Sequence, residues 1–270
     1  MRILICGDVV GRSGRTVVID QLAKLRADLS LDFVVVNGEN AAGGFGITPK
    51  ICDQFFAAGA DVITTGNHVW DQREIIPHFS KESRLLRPQN YPKGTPGSGV
   101  ETYTTERGRK VVVMHAMARL FMDPLDDPFA CIEQQLATYR LRANADAIVL
   151  DFHGEATSEK MSMGHFVDGR VSAVVGTHSH VPTADAQVLS GGTAYISDIG
   201  MCGDYDSVIG MQKKTAVDRF LRKMPTERLQ AAMGEATLCA VMIETDDATG
   251  LAVRIEPVRI GGRLAPARPD

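Results

Sequence analysis

Three short apolar runs near the start of the chain, separated by two helix-forming stretches, restrict the fold more than any other feature. Residues 3–6 (Ile-Leu-Ile-Cys), 33–36 (Phe-Val-Val-Val) and 61–64 (Asp-Val-Ile-Thr) read as short buried strands. Between them, residues 16–28 carry Val17, Val18, Leu22 and Leu25 at helical spacing. Residues 47–58 read as a second helix, with Thr48 as N-cap and Pro49 at its first position. Strand, helix, strand, helix, strand predicts a parallel sheet with right-handed crossovers.

Downstream, residues 91–99 are rich in Pro and Gly and read as a loop. Residues 100–105 and 110–114 form an expected hairpin around Gly108. Helices are expected over 130–144, 160–167 and 215–223, and strands over 147–152, 171–175 and 194–197. Residues 240–244 and 251–260 close the chain as a second hairpin around Asp246-Asp247-Ala248-Thr249-Gly250. Neither a repeat nor a low-complexity tract interrupts this pattern. The expectation is one α/β domain over residues 1–270, with a mixed sheet or two packed sheets flanked by helices.

At 44% hydrophobic and 23% charged, the 270 residues can bury a large core. A formal net charge of −4 without a Lys/Arg run argues against a non-specific nucleic-acid or polybasic membrane binder, and leaves room for a small anionic substrate. Cys6, Cys52, Cys131, Cys202 and Cys239 are odd in number and never spaced C-x-x-C, which fits reduced, mostly buried thiols. The opening apolar run stops at Gly7-Asp8, too short for a secretory h-region, and no 18 consecutive apolar residues occur. A cytoplasmic location with no membrane association is expected.

Metal-capable side chains sit just past the expected strands. Asp8 follows the first, Glu39 and Asn40 the second, Asn67 and His68 the third, His153 the strand at 147–152, and His178 and His180 the strand at 171–175. Each has a plainer reading. Asp8 alone suits a helix N-cap or turn, Asn40 a turn, Glu39 a solvated carboxylate, and His153 a hydrogen-bonded core histidine. His178 and His180 differ, because i and i+2 in an extended segment share one face. Ligands bind outside the carboxyl ends of strands in open α/β sheets, so the set taken together points to one site. Carboxylate, amide and imidazole without thiolate favour Mn²⁺ or Fe, with Zn²⁺ also admitted. Seven such ligands exceed what one catalytic ion with an open position needs and suit two ions sharing a carboxylate.

Gly7-Asp8-Val9-Val10-Gly11, Asn37-Gly38-Glu39-Asn40, Gly66-Asn67-His68, Phe152-His153-Gly154-Glu155 and Gly176-Thr177-His178-Ser179-His180 resemble the ordered motif blocks of calcineurin-like metallophosphoesterases, and more closely the bacterial YmdB-like subgroup. Similarity to the subgroup continues through Ser197-Asp198-Ile199-Gly200-Met201 and Tyr205-Asp206-Ser207. Two positions depart from the wider superfamily: Val10 stands where its first block has His, and Glu39 where its second has a bridging Asp. The resemblance implies a two-sheet sandwich with outer helices, in four layers α-β-β-α. It implies one ion held by Asp8, Glu39, Asn40 and His180, another by Glu39, Asn67, His153 and His178, and His68 as general acid. The implied activity is hydrolysis of small phosphodiesters, including 2′,3′-cyclic and 3′,5′-cyclic nucleotides, through a hydroxide shared by two divalent transition-metal ions.

Glu155, Asp151 and Asp198 are candidates to orient the ligating imidazoles, or else surface and capping residues. Tyr205 and Asp198 are candidate substrate contacts, with residues 198–210 either lining the cleft or forming a surface loop. Gly43-Gly44-Phe45-Gly46 could let backbone approach a phosphate or form a plain turn. Gly11-Arg12-Ser13-Gly14-Arg15 lacks the ending of a phosphate-binding loop; Arg12 or Arg15 either meets substrate phosphate or is solvated. The rivals are a phosphomonoesterase or phosphoprotein phosphatase, and a non-enzymatic metal-bound regulatory protein. The expected partner is a small phosphodiester, without a stable nucleic-acid complex; a homo-oligomer is allowed for.

Overall fold

The computed structural model describes residues 1–224 and 227–269. The N-terminal alternation folds as β1 (Arg2–Cys6), β2 (Asp8–Val9), α1 (Gly11–Asp28), β3 (Phe33–Asn37), α2 (Pro49–Ala58) and β4 (Val62–Thr64). After a long loop come β5 (Val100–Thr104), β6 (Lys110–Met117), α3 (Pro128–Thr138), β7 (Ala147–His153), α4 (Thr157–Phe166) and β8 (Ala173–Thr177). The chain ends through β9 (Gln187–Val188), β10 (Ala194–Ile196), β11 (Met201–Asp204), α5 (Lys213–Arg222), β12 (Ala236–Thr245) and β13 (Ala252–Ile260).

These strands make two mixed sheets. The first runs β2-β11-β12-β1-β3-β4, with β13 also on β12; the second runs β5-β6-β7-β8-β10-β9. Strands β1, β3 and β4 are parallel, as are β6, β7, β8 and β10. Parallel strands covered on both faces are near-continuous apolar runs, and β3 and β7 are buried throughout, with their polar residues Asn37, Asp151 and His153 confined to the carboxyl-terminal half that meets the site. Alternate residues of these strands face different layers. Ile3, Ile5, Val35, Val113, Val149 and Val175 meet between the sheets. Leu4, Val34 and Val36 pack on Leu22 and Leu25 of α1 and Phe55 of α2. Val112, Ile148 and Leu150 pack on Ile132 of α3 and Met163 of α4. The four-layer α-β-β-α sandwich is therefore observed, with two sheets and not one.

Both expected hairpins form, and Thr48 caps α2 through its side chain with Pro49 in the first turn. Helix α1 starts at Gly11, five residues earlier than its apolar spacing suggests. Its first turn contains Gly14, where a Cβ would lie 2.1 Å from the Cys202 carbonyl oxygen of β11. Close helix-to-strand contact thus overrides low helix propensity there. Strand β11 itself was not expected. Its four residues pair parallel to β2 and antiparallel to β12, a partnership that periodicity in so short a segment does not reveal.

Candidate metal centre

The carboxyl ends of β3, β4, β7 and β8 meet where the two sheets join. Asp8 begins the two-residue β2, and Glu39 and Asn40 follow β3; all three are buried. Asn67 and His68 follow β4, His153 is the last residue of β7, and His178 and His180 follow β8. His153 Nε2 lies 2.9 Å from Glu39 Oε2, 3.1 Å from Asn67 Oδ1 and 3.1 Å from His178 Nδ1. Glu39, His153 and His178 offer ligand atoms all within 4.8 Å of one another. Asp8 joins them by accepting from the His178 backbone N–H at 3.0 Å, with Oδ1 3.7 Å from His153 Nδ1. Among the described residues, Asn40 and His180 make no hydrogen bond to another of the seven. Asn40 instead donates to the Gly44 carbonyl, and His180 Nδ1 donates to the Ile209 carbonyl at 2.8 Å. The second contact fixes the tautomer and leaves His180 Nε2 as an acceptor.

Two buried oxygens in this cluster, Asp8 Oδ1 and Asn40 Oδ1, have no hydrogen-bond donor, and Glu39 Oε2 faces only the His153 Nε2 nitrogen at 2.9 Å. Buried polar atoms are satisfied in more than about nine cases in ten, so two orphaned acceptors beside the Glu39 carboxylate fit a cation. The charges agree. Burial drives the Asp8 carboxyl well above the usual range, against the pull of His153, and Glu39 and Asp198 raise it further. Burial also pushes Glu39 up, but His153, His68 and His178 more than offset this and hold it low. His153 resists the downward push of burial and is raised to about 9 by Glu39, Asp8 and Asp151. Burial and the charge of His153 lower His178 to about 3. His153, raised by the carboxylates around it, marks the place in the cluster that positive charge prefers.

Behind the ligands is a buried scaffold. Asp151 accepts from Thr177 Oγ1 at 2.7 Å, Thr64 Oγ1 at 2.6 Å and Asn37 Nδ2 at 3.1 Å. Thr177 Oγ1 lies 2.9 Å from His153 Nδ1, and Asn37 Oδ1 accepts from the Glu39 N–H. Glu155 meets His178 Nε2 at 3.3 Å. His178 and His180 both have positive φ, 98° and 65°, which is uncommon outside glycine. Asp198 supports that turn: buried against Lys160 Nζ at 2.9 Å, it accepts from the Ser179 and Gly200 N–H groups. Gly66 has no room for a side chain, since a Cβ would sit 2.4 Å from His153 Nε2.

Asp198 and Tyr205, the expected substrate contacts, are placed differently. Asp198 is 1% exposed and committed to Lys160. The Tyr205 hydroxyl accepts from the Met201 N–H and lies 3.1 Å from the His180 carbonyl. Both stand behind the His178–His180 turn as supports, not at a cleft wall. His68 faces outward: Nδ1 meets Asp71 at 2.8 Å, and the ring packs edge-on against Phe45 at 5.1 Å. Its backbone N–H donates to Glu39 Oε1. Sequence reasoning missed Asn37, Thr177, Thr64, Lys160 and His115, whose Nδ1 meets the Asp151 carbonyl at 3.1 Å. The first two lay inside the motif blocks as signals; the other three carried none.

A four-layer sandwich with such a cluster at its strand ends defines a metallophosphoesterase-type fold, a class that uses divalent metal ions. The chain belongs to the YmdB-like protein family, whose profile matches residues 4–258. It is 46% identical to the 2′,3′-cyclic-nucleotide 2′-phosphodiesterase of Bacillus subtilis over 260 residues, 96% of this chain and 97% of that one. Among solved structures, a hypothetical protein from Thermus thermophilus superposes with a TM-score of 0.90 at 40% identity, covering 97% of this chain and 100% of the other. A novel phosphatase from Mycoplasma pneumoniae superposes with a TM-score of 0.89 at 30% identity, covering 97% and 93%.

Proposed function

We propose that this chain is a cytoplasmic metal-dependent phosphodiesterase that opens small cyclic phosphodiesters, 2′,3′-cyclic nucleotides foremost and 3′,5′-cyclic nucleotides second. The observation that carries the reading is the cluster of Glu39, His153 and His178, with ligand atoms within 4.8 Å of one another, beside the orphaned buried oxygens of Asp8 and Asn40. The name of the Bacillus relative supports the substrate class. Asp8, Glu39, Asn40 and His180 would hold one divalent ion, and Glu39, Asn67, His153 and His178 a second. Fe or Mn suits these donors, and Zn is admitted. Ions so held supply a water of lowered pKa and neutralise charge on the phosphate.

The chain's own residues do the rest. Asp8 and Glu39 set the charge of the site, and the His68 N–H keeps one Glu39 oxygen turned away from the cluster. Asp71 accepts from His68 Nδ1, which leaves Nε2 to face substrate; as general acid His68 would act as the imidazolium, giving up its Nε2 proton and keeping the one shared with Asp71. Water adds to phosphorus and gives up one proton to solvent, the P–O2′ bond breaks, and the His68 proton goes to the departing 2′ oxygen, leaving a nucleoside 3′-phosphate and a His68 that solvent reprotonates. All of this lies within one domain over residues 1–270.

Reconstituted protein assayed on 2′,3′-cyclic AMP, 3′,5′-cyclic AMP, bis-p-nitrophenyl phosphate and p-nitrophenyl phosphate tests the reading. Turnover of the diesters above the monoester supports it; a preparation with full metal content that is inert on all diesters sinks it. Faster p-nitrophenyl phosphate turnover would favour a phosphomonoesterase, the reading closer to the Mycoplasma phosphatase.

A further inference from the structure

Beside the metal centre, on the far side of Phe45, the structure opens two adjoining cavities. A cavity of about 590 Å³ is lined by Arg12, Arg15, Phe45 and Arg228 together with Gln72 and Gln230. A second, of about 640 Å³, shares Phe45 and Arg228 and adds Arg219, Lys223 and the carboxylate of Glu227. Half-buried Phe45 is the wall between this space and the catalytic side. Its ring meets His68 edge-on at 5.1 Å, and the Arg228 guanidinium lies over it at 5.6 Å. Gln72 holds the Phe45 carbonyl at 2.8 Å, which fixes the loop.

The arginines are poorly explained by stability. Arg15 Nη1 donates to the Ala41 carbonyl, but among the described residues Arg12, Arg15 and Arg228 form no ion pair with a carboxylate. Arg12 and Arg15 repel one another, and burial together with that repulsion draws the Arg15 pKa down. Arg12 belongs to the first turn of α1, which contains no acidic residue, so it opposes the helix dipole, and Arg15 follows just past that turn. Unpaired guanidinium groups around an aromatic ring are the standard means of holding a nucleotide phosphate and its base.

We propose that this cavity is a subsite for a second phosphate, carried on the 5′ oxygen of the nucleoside whose cyclic phosphate is opened, with Phe45 packing on a base. The preferred substrate is then the 3′ end of a short oligoribonucleotide ending in a 2′,3′-cyclic phosphate, not a free cyclic mononucleotide. The inference rests on the phosphodiesterase reading above and names its substrate class. A volume near 600 Å³ falls within the range that accepts a nucleotide-sized ligand, and phosphate contacts from arginine are largely indifferent to base sequence.

The test compares kcat/KM for adenosine 2′,3′-cyclic phosphate, its 5′-phosphorylated form and the dinucleotide ApA ending in a 2′,3′-cyclic phosphate, on metal-loaded full-length protein. The dinucleotide should exceed the unphosphorylated mononucleotide at least tenfold. Arg12→Ala and Arg228→Ala, both at exposed positions, should each lower that ratio at least fivefold, and 0.3 M salt should lower it further. A 5′-phosphorylated mononucleotide matching the dinucleotide would assign the subsite to the phosphate alone; a dinucleotide advantage over both would assign it to a chain end. Either supports the subsite. Calorimetric titration with a 2′-O-methyl dinucleotide ending in a 3′-phosphorothioate reads binding without turnover, and both variants should weaken it at least fivefold. A ratio near one, or a ratio that neither variant changes, overturns the subsite while leaving the phosphodiesterase reading intact. Tight dinucleotide binding without turnover of any cyclic phosphate overturns the activity and leaves the subsite standing.

Discussion

Thr177→Val tests the buried scaffold behind the metal centre with little change in shape. The valine fills the same volume, so no cavity opens, but the hydroxyl linking Asp151 to His153 is lost. The contact to the Asp151 carboxylate is charge-assisted and contributes about 1.5–3 kcal/mol; the one to His153 Nδ1 adds about 0.5–1.5 kcal/mol. Asp151 keeps Thr64 and Asn37, so its charge is not wholly unpaired. The expected loss is roughly 2–4 kcal/mol in urea unfolding of the chelator-treated protein. His153 also loses the partner that fixes its ring, and such changes weaken metal binding about 10–100-fold. Chelator-competition titration with Mn²⁺ reads the second effect separately, and Thr177→Ser, which keeps the hydroxyl, should recover most of both. A Thr177→Val protein that binds Mn²⁺ within twofold of wild type would refute the claim that Thr177 orients His153, whatever happens to stability.

Other expectations follow from the same geometry. His68→Ala should keep its metal content yet lose about 10²–10⁴-fold in kcat on 2′,3′-cyclic AMP and much less on bis-p-nitrophenyl phosphate, whose leaving group scarcely needs a proton; equal losses would assign His68 to charge stabilisation. In the chelator-treated protein, His153 is held at about 9, above its ordinary 6.5. Its contribution to stability is therefore full below pH 6.5 and lost as pH rises toward 9, while metal affinity climbs over the same window because binding displaces that proton; apoprotein stability that rises from pH 6.5 to 9 would contradict this. Lys160→Met should cost about 3–5 kcal/mol by leaving Asp198 charged and buried, and Lys160→Met/Asp198→Asn should recover part of it; unfolding curves that coincide with wild type would remove the pair from the scaffold.

Much of this architecture was legible from local pattern. Apolar runs such as Phe33–Asn37 and Ala147–His153 are buried on both faces, so hydrophobicity alone marks them. Ligand-capable residues at the ends of five such runs pointed to one site, because parallel strands deliver their carboxyl ends to one edge. What stayed hidden depends on partners distant in sequence. The ion pair of Lys160 with Asp198 joins a helix to a loop 38 residues on, and a lysine in a helix ordinarily reads as solvated. His115 sits at 0% exposure inside β6, where its sequence context is that of any strand. Asp198 and Tyr205 read as cleft residues because their segment is polar and glycine-rich; burial, which no single-sequence pattern supplies there, turns them into supports for the His178–His180 turn.

The cluster takes Asp8, Glu39, Asn40 and Asn67 from one sheet and His153, His178 and His180 from the other. It is a seam, and an ion held there would act as a rivet between two layers otherwise joined by side-chain packing. Catalytic geometry then becomes a gauge of the spacing between sheets. An Ile5→Val or Val113→Ala exchange, in the layer between the sheets and at neither a ligand nor a ligand's partner, would let the two halves of the site shift against each other. Sequence change in that apolar layer is thus a way to retune the centre while every ligand stays the same.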